Sequence, residues 1–165
     1  MELAADRSFE RFFRDEHTSV VALALGWSGD EQLARDITQE TFLRAYRQWS
    51  HVSTLDAPGA WLRRVAVNLL IDGHRRRARE RSAIARHGVE RPAGPLEDPA
   101  VTAWWQAVRR LPDRQRAVVA LHYVDDLPLA DIAAVLGIAV GTVKSTLAQA
   151  RRSLARTLRI EEVGS

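Results

Sequence analysis

Residues 129–154 read LADIAAVLGIAVGTVKSTLAQARRSL. Apolar residues recur at helical spacing on both sides of Gly137, so the stretch is two helices meeting at a turn. Ala133 is small where the helices must cross closely. Gly137, four residues on, supplies the positive φ of the turn without a Cβ clash. Val143, six further on, returns the second helix onto the first. These spacings predict a helix-turn-helix, whose second helix enters the DNA major groove. On that helix Val143, Leu147, Ala150 and Leu154 form the inward stripe. Ser145, Ala148, Gln149 and Arg152 face away, with Thr142, Lys144 and Thr146 beside them and Gly141 at the start. Gln suits a bidentate bond to adenine, Lys reaches guanine, and Ser or Thr serves base edges or phosphates. The competing reading is a plain helical hairpin with an ordinary polar face.

Charge weighs against the hairpin. The chain has 165 residues and a net charge of only +3, but the distribution is uneven. Residues 1–62 hold 6 basic and 10 acidic side chains, a balance of −4. Residues 63–79 hold 6 basic and 1 acidic, and residues 139–160 hold 5 basic and no acidic, so each block carries +5. Two basic stripes on an otherwise acidic or neutral chain are the electrostatic footprint of polyanion binding. All but one of the basic residues are Arg, which reflects GC-rich coding rather than chemistry. The absence of Cys excludes a disulfide framework and a thiolate metal site. The longest apolar run, Val20 to Trp27, is too short to cross a bilayer, and no basic-then-apolar signal pattern opens the chain. The expectation is a cytoplasmic protein with no direct membrane insertion.

Working outward, nearly every segment reads as helix. A first helix starts at Ser8 as N-cap, carries Phe9, Phe12 and Phe13 on one face, and ends at the Gly26–Gly29 turn. Asp30 caps a second helix running to about Trp49. Its apolar stripe is Leu33, Ala34, Ile37, Thr41, Ala45 and Trp49, and its other face carries Asp36, Gln39, Glu40 and Leu43. A loop spans Ser50 to Gly59. A third helix runs from Gly59 to Arg79, with Trp61, Leu62, Val65 and Leu69 inward and Arg64, Asn68, Ile71 and Arg75 outward. Residues 82–99 hold three Pro and two Gly, a linker composition. Beyond it, Val101, Trp104, Trp105, Val108 and Leu111 form a helical stripe. Pro112 opens a helix to about Val124, and a turn at 125–128 leads into helices 129–136 and 140–158. The expected fold class is all-α: two small helical domains, 1–81 and 100–160, joined by a flexible linker at 82–99 and followed by a short tail at 161–165.

Three motifs carry a family resemblance: DITQETFLRAYRQW (36–49), AWLRRVAVNLLIDGHRRR (60–77) and LPDRQRAVVALHYVDDLPLADIAAVLGIAVGTVKS (111–145). In that order and spacing they resemble regions 2 and 4 of the bacterial extracytoplasmic-function (ECF) sigma factors. The resemblance implies a protein that binds core RNA polymerase and directs it to promoter DNA, with no catalytic activity and no cofactor. It implies that Asp36, Gln39, Glu40, Phe42 and Leu43 contact the polymerase's largest subunit. Arg63, Arg64, Asn68, Arg75, Arg76 and Arg77 would line the opened downstream (−10) element, and the 50–59 loop would capture a flipped base. Gly141, Thr142, Lys144, Ser145, Ala148, Gln149 and Arg152 would meet the upstream (−35) element. An anti-sigma factor is a further partner the resemblance allows. Trp49 and Trp61 lie on apolar stripes, which favours packing over base stacking. The chain departs from the common pattern at Thr146 and Gln149, where relatives often carry Arg, at Ala148 and Ala139, and at Val67, which replaces a frequent Arg.

Other function classes explain less. A stand-alone helix-turn-helix regulator gives the 36–49 motif no role. The five His show no metal-ligand spacing, and no nucleophile–His–acid set or Gly-rich phosphate loop is visible, so an enzyme has no site. A pure interaction module leaves the helix-turn-helix unexplained.

Overall fold

The computed structural model describes residues 2–83 and 98–163. The expected linker therefore lies almost wholly on residues outside the description. Its two ends do not: Ser82 and Ala83 finish one helix, and Pro99 begins another. The chain divides into two compact units, Met1–Glu90 and Arg91–Ser165. Among the described residues every regular element is a helix.

Unit 1 packs α1 (Glu2–Ser28), α2 (Glu31–Arg47), the single turn α3 (Trp49–Val52) and α4 (Pro58–Ala83). Asp30 is the N-cap of α2, accepting a 2.9 Å hydrogen bond from the Leu33 N–H, as its place after the Gly29 turn predicts. Ser8 is not a cap. It lies inside α1, and its hydroxyl accepts from the Trp49 indole N–H at 2.9 Å. Val20, Leu23, Ala24 and Trp27 of α1 meet Ala34, Ile37 and Ala45 of α2 and Leu62, Ala66, Val67 and Leu70 of α4 in the core. The buried arc of α4 is thus turned by about one residue from the expected stripe. Trp61, Val65 and Leu69 are only half-buried, and Val67 is interior.

Unit 2 comprises α5 (Pro99–Arg109), α6 (Asp113–Tyr123), α7 (Leu129–Leu136) and α8 (Val140–Val163). Trp105, Val108 and Leu111 are buried as expected, whereas Val101 is 43% exposed and falls outside the stripe. Arg116 is nearly fully buried. Its guanidinium donates to the Arg109 carbonyl and, at 3.1 Å, to that of Leu111, satisfying carbonyls where α5 ends. Burial pulls its pKa below the ordinary guanidinium value, a shift that nearby Asp113 opposes. α8 continues to Val163, beyond the expected end near Leu158 and into the expected tail.

Candidate functional site

The helix-turn-helix is built as its spacing requires. Gly137 ends α7 in the left-handed conformation at φ 65°, with its N–H bonded to the Ala133 carbonyl. A side chain there would be strained. The axes of α7 and α8 turn by 103°, within the range for this motif. Ala133 and Ile132 of α7 are buried against Val143, Leu147, Ala150 and Leu154 of α8. These contacts fix which face of α8 is outward. Gly141, Lys144, Ser145, Gln149 and Arg152 are exposed on it, and Thr142 and Ala148 are half-buried at its margins. Nothing stands within 4 Å of where a Gly141 Cβ would be, so the start of α8 is open to a ligand. The Ser145 hydroxyl donates to the Thr142 carbonyl at 3.1 Å and keeps its lone pairs outward. Thr146 differs from expectation: it is buried behind the outward face.

On α2, Asp36, Gln39 and Leu43 are exposed and Glu40 is half-buried, all on one stripe. The Gln32 amide donates to Asp36 Oδ1 at 3.0 Å, and Arg44 Nε bonds Glu40 Oε1 at 2.7 Å. Both partners sit one turn away, so they hold the carboxylates upright without covering them. Phe42 is a correction. It is only 4% exposed, with its ring 4.7 Å from Phe13 and 5.9 Å from His17, because α1 lies over that side of α2. It supports the stripe from behind and offers no surface of its own.

The cations of α4 separate into two sets. Arg64, Asn68, Arg75 and Arg76 are exposed. Arg63 turns inward to Glu16 at 3.1 Å, with only 14% of its side chain exposed. Arg77 reaches back to Asp30 at 2.8 Å. These two of the six expected nucleic-acid contacts are held by carboxylates from outside α4, whereas Arg76 has only the exposed Glu80 one turn on, at 3.9 Å. The Asp30 carboxyl lies below the ordinary carboxylate range, first because the Leu33 N–H bonds it and next because Arg77 does. The expected 50–59 loop begins as the short helix α3. Buried Val52 anchors it, and His51, Ser53, Thr54 and Asp56 are left outward.

Sequence reasoning passed over Arg156 and Arg159, which continue the outward face of α8 past Arg152. Their four- and seven-residue offsets from Arg152, in a stretch free of acidic residues, were the available signal. Among the described residues no group of His, Asp and Glu is placed to hold a metal, and no single helix is long and apolar enough to cross a membrane.

Comparison with known proteins agrees with this geometry. Residues 12–80 match Sigma-70 region 2 and residues 102–154 match Sigma-70, region 4. The chain is 37% identical to the ECF RNA polymerase sigma factor SigL of Mycobacterium tuberculosis, over 98% of this chain and 94% of that protein. It is 33% identical to the ECF RNA polymerase sigma factor SigE of Mycolicibacterium smegmatis over 92% of this chain, spanning 62% of the relative's length. Its fold resembles that of the sigma factor RpoE of Bartonella quintana, solved with the anti-sigma factor NepR. The TM-score is 0.80 at 24% identity, covering 93% of this chain and 98% of that one. With regions 2 and 4 in order on two helical units, and SigL matched across nearly the whole of both chains, this protein belongs to the ECF RNA polymerase sigma factors.

Proposed function

We propose that the chain docks on core RNA polymerase through the α2 stripe and directs it to promoters through α4 and α8. The supporting observation is the stripe itself. Asp36, Gln39 and Glu40 stand beside Leu43, which is 38% exposed, on a helix whose opposite side is fully committed to the core. Charged rim and apolar centre on one small patch suit a protein partner. On α4, Arg64, Asn68, Arg75 and Arg76 would face the opened downstream element, where melted strands need phosphate neutralisation. The segment after α3, with His51, Ser53, Thr54 and Asp56, would hold a splayed base. Arg63 and Phe42 would act by positioning, since their side chains are occupied inside the unit, and Arg77 would do so through its ion pair with Asp30. On α8, Thr142, Lys144, Ser145 and Gln149 would read the upstream element, with Gly141 and Ala148 allowing close approach. Thr142 to Gln149 carries one cation, so contacts there depend on hydrogen bonding more than on charge. A cytoplasmic setting follows from the polymerase as partner. By likeness to RpoE, an anti-sigma protein is proposed as inhibitor.

Run-off transcription with purified core polymerase, on promoters including the one upstream of its own gene, tests this. Start-site-specific transcripts that require the protein are expected. Changing Asp36→Ala with Glu40→Ala should lower them at least about tenfold, from the loss of charged hydrogen bonds. Absence of transcript on every promoter, with tight duplex binding by the protein alone, would leave a stand-alone helix-turn-helix regulator instead.

A further inference from the structure

The outward face of α8 changes character along its length. At about 100° per residue, Ser145, Gln149, Arg152, Arg156 and Arg159 fall within an arc of roughly 80°. The first part of that line is neutral and small. From Arg152 onward its long side chains are all Arg, each exposed, and Ala155 lies between them in a shallow groove. Residues 139–160 contain no acidic side chain, and among the described residues Arg152, Arg156 and Arg159 have no ion pair. Arg151, off this line, behaves differently: it donates to the Tyr123 hydroxyl at 2.8 Å and lies 5.8 Å from that ring's centroid. A solvated helix face ordinarily mixes signs. Interaction with the helix dipole would account for Arg159, near the C-terminus, but not for Arg152 or Arg156.

We infer that Arg156 and Arg159 form a phosphate-binding ridge that anchors α8 to the DNA backbone beyond the bases it reads. This rests on the reading of α8 as the upstream-element helix. The reason is length. The N-terminal residues of such a helix meet base edges, in a major groove about 12 Å wide. Arg156 lies roughly 16 Å along the axis from Ser145, and Arg159 lies farther still. A straight helix seated by its first turns has left the groove floor by then, and its DNA-facing side passes over the groove's edge, where phosphates stand. Base reading and electrostatic anchoring are thereby divided between the two halves of one helix. The first half, with Lys144 its one cation, selects sequence, and the arginine-rich half supplies affinity that does not depend on sequence.

The test is a salt titration of the full chain binding labelled duplex DNA, using the region upstream of its own gene and a random-sequence duplex of equal length. Each phosphate neutralised contributes about 0.9 to the slope of log affinity against log salt. R156A with R159A should therefore flatten the slope by roughly 1.8 on both duplexes and weaken low-salt binding roughly tenfold. The ratio between the duplexes should stay unchanged. R156K with R159K should keep the slope, because a point charge suffices for a phosphate. Gln149→Ala should change the ratio and leave the slope. An unchanged slope in the double Ala variant, with wild-type binding intact and helix content equal by circular dichroism, overturns the ridge while leaving the DNA reading of α8 in place. Failure of the wild-type chain to bind either duplex, both alone and with core polymerase, overturns both.

Discussion

The blocks 63–79 and 139–160 carry the same net charge, yet the folded protein uses them differently. In the first, Arg63 and Arg77 fold back onto Glu16 and Asp30, carboxylates 47 residues away in each case. In the second, Arg151 binds a phenol, and Arg152, Arg156 and Arg159 extend along one exposed line. The reason lies in where the acids are. α1 and α2, which pack against α4, belong to the acidic part of the chain, so Arg63 and Arg77, on the side of α4 that meets them, each find a carboxylate. α8 packs on α5, α6 and α7, and among the described residues Arg152, Arg156 and Arg159 on its outward face have no ion pair. A basic block in a sequence therefore measures potential contacts. Packing decides which remain available to a ligand and which become part of the fold.

The largest expected effect tests that division directly. Arg63 and Glu16 are 14% and 22% exposed, so removing one strands the other in a poorly hydrated place. Arg63→Ala should cost about 2 kcal/mol of stability in urea unfolding. Arg63→Met with Glu16→Leu should recover most of it, since an apolar pair of similar volume needs no charge compensation. Gly59 sharpens the result. A Cβ there would stand 2.8 Å from both Arg63 Nη1 and Glu16 Oε1, so Gly59→Ala should disturb the same pair. Equal stability of Arg63→Ala and wild type would return Arg63 to the nucleic-acid surface.

What the sequence disclosed follows the same line between local and distant causes. The helix-turn-helix was legible in full because its determinants, Ala133, Gly137 and Val143, are set by spacing within two helices. The Asp30 cap was legible because a cap acts over three residues. Phe42, which the resemblance put among the polymerase contacts, is buried because α2 packs against both α1 and α4. A helix covered on two sides buries a wider arc, here Ala34 to Ala45 including Thr38 and Phe42, than a single stripe allows. Ser8 looked like a helix start because a hydroxyl ahead of an apolar run usually is one. Its partner proved to be an indole 41 residues away, and residues 2–7 continue the helix upstream. The cations of α4 could not be sorted at all without knowing that Glu16 and Asp30 lie across from them.

A smaller effect concerns Asp30, which both caps α2 and holds Arg77. Asp30→Ala should cost about 1 kcal/mol near neutral pH. Its folded pKa is lowered, so its contribution is fully present above the ordinary carboxylate range and is lost as pH falls through the folded value. The stability gap between wild type and Asp30→Ala should therefore be flat at neutral pH and close on acidification. Asp30→Asn, which keeps an acceptor for the Leu33 N–H but loses the charge, should retain much of the cap and show little of this pH dependence. A gap that stays constant into strong acid would mean the carboxylate's charge contributes nothing, and Arg77 would then be as available as Arg64.

The smallest expected effect is the most diagnostic of the contrast. Arg156→Ala removes an exposed side chain that has no ion pair among the described residues, and Ala is the better helix former by only a few tenths of a kcal/mol. Its unfolding free energy should stay within about 0.5 kcal/mol of wild type. Arg64→Ala, at an exposed cation of the other block, should behave alike. The same Arg156 change should nevertheless weaken duplex binding, whereas Arg63→Ala should act mainly on stability. A loss of more than about 1 kcal/mol at Arg156 would show that α8 also uses its cations to hold the fold. The two blocks would then differ in degree, with binding and stability shared along both helices.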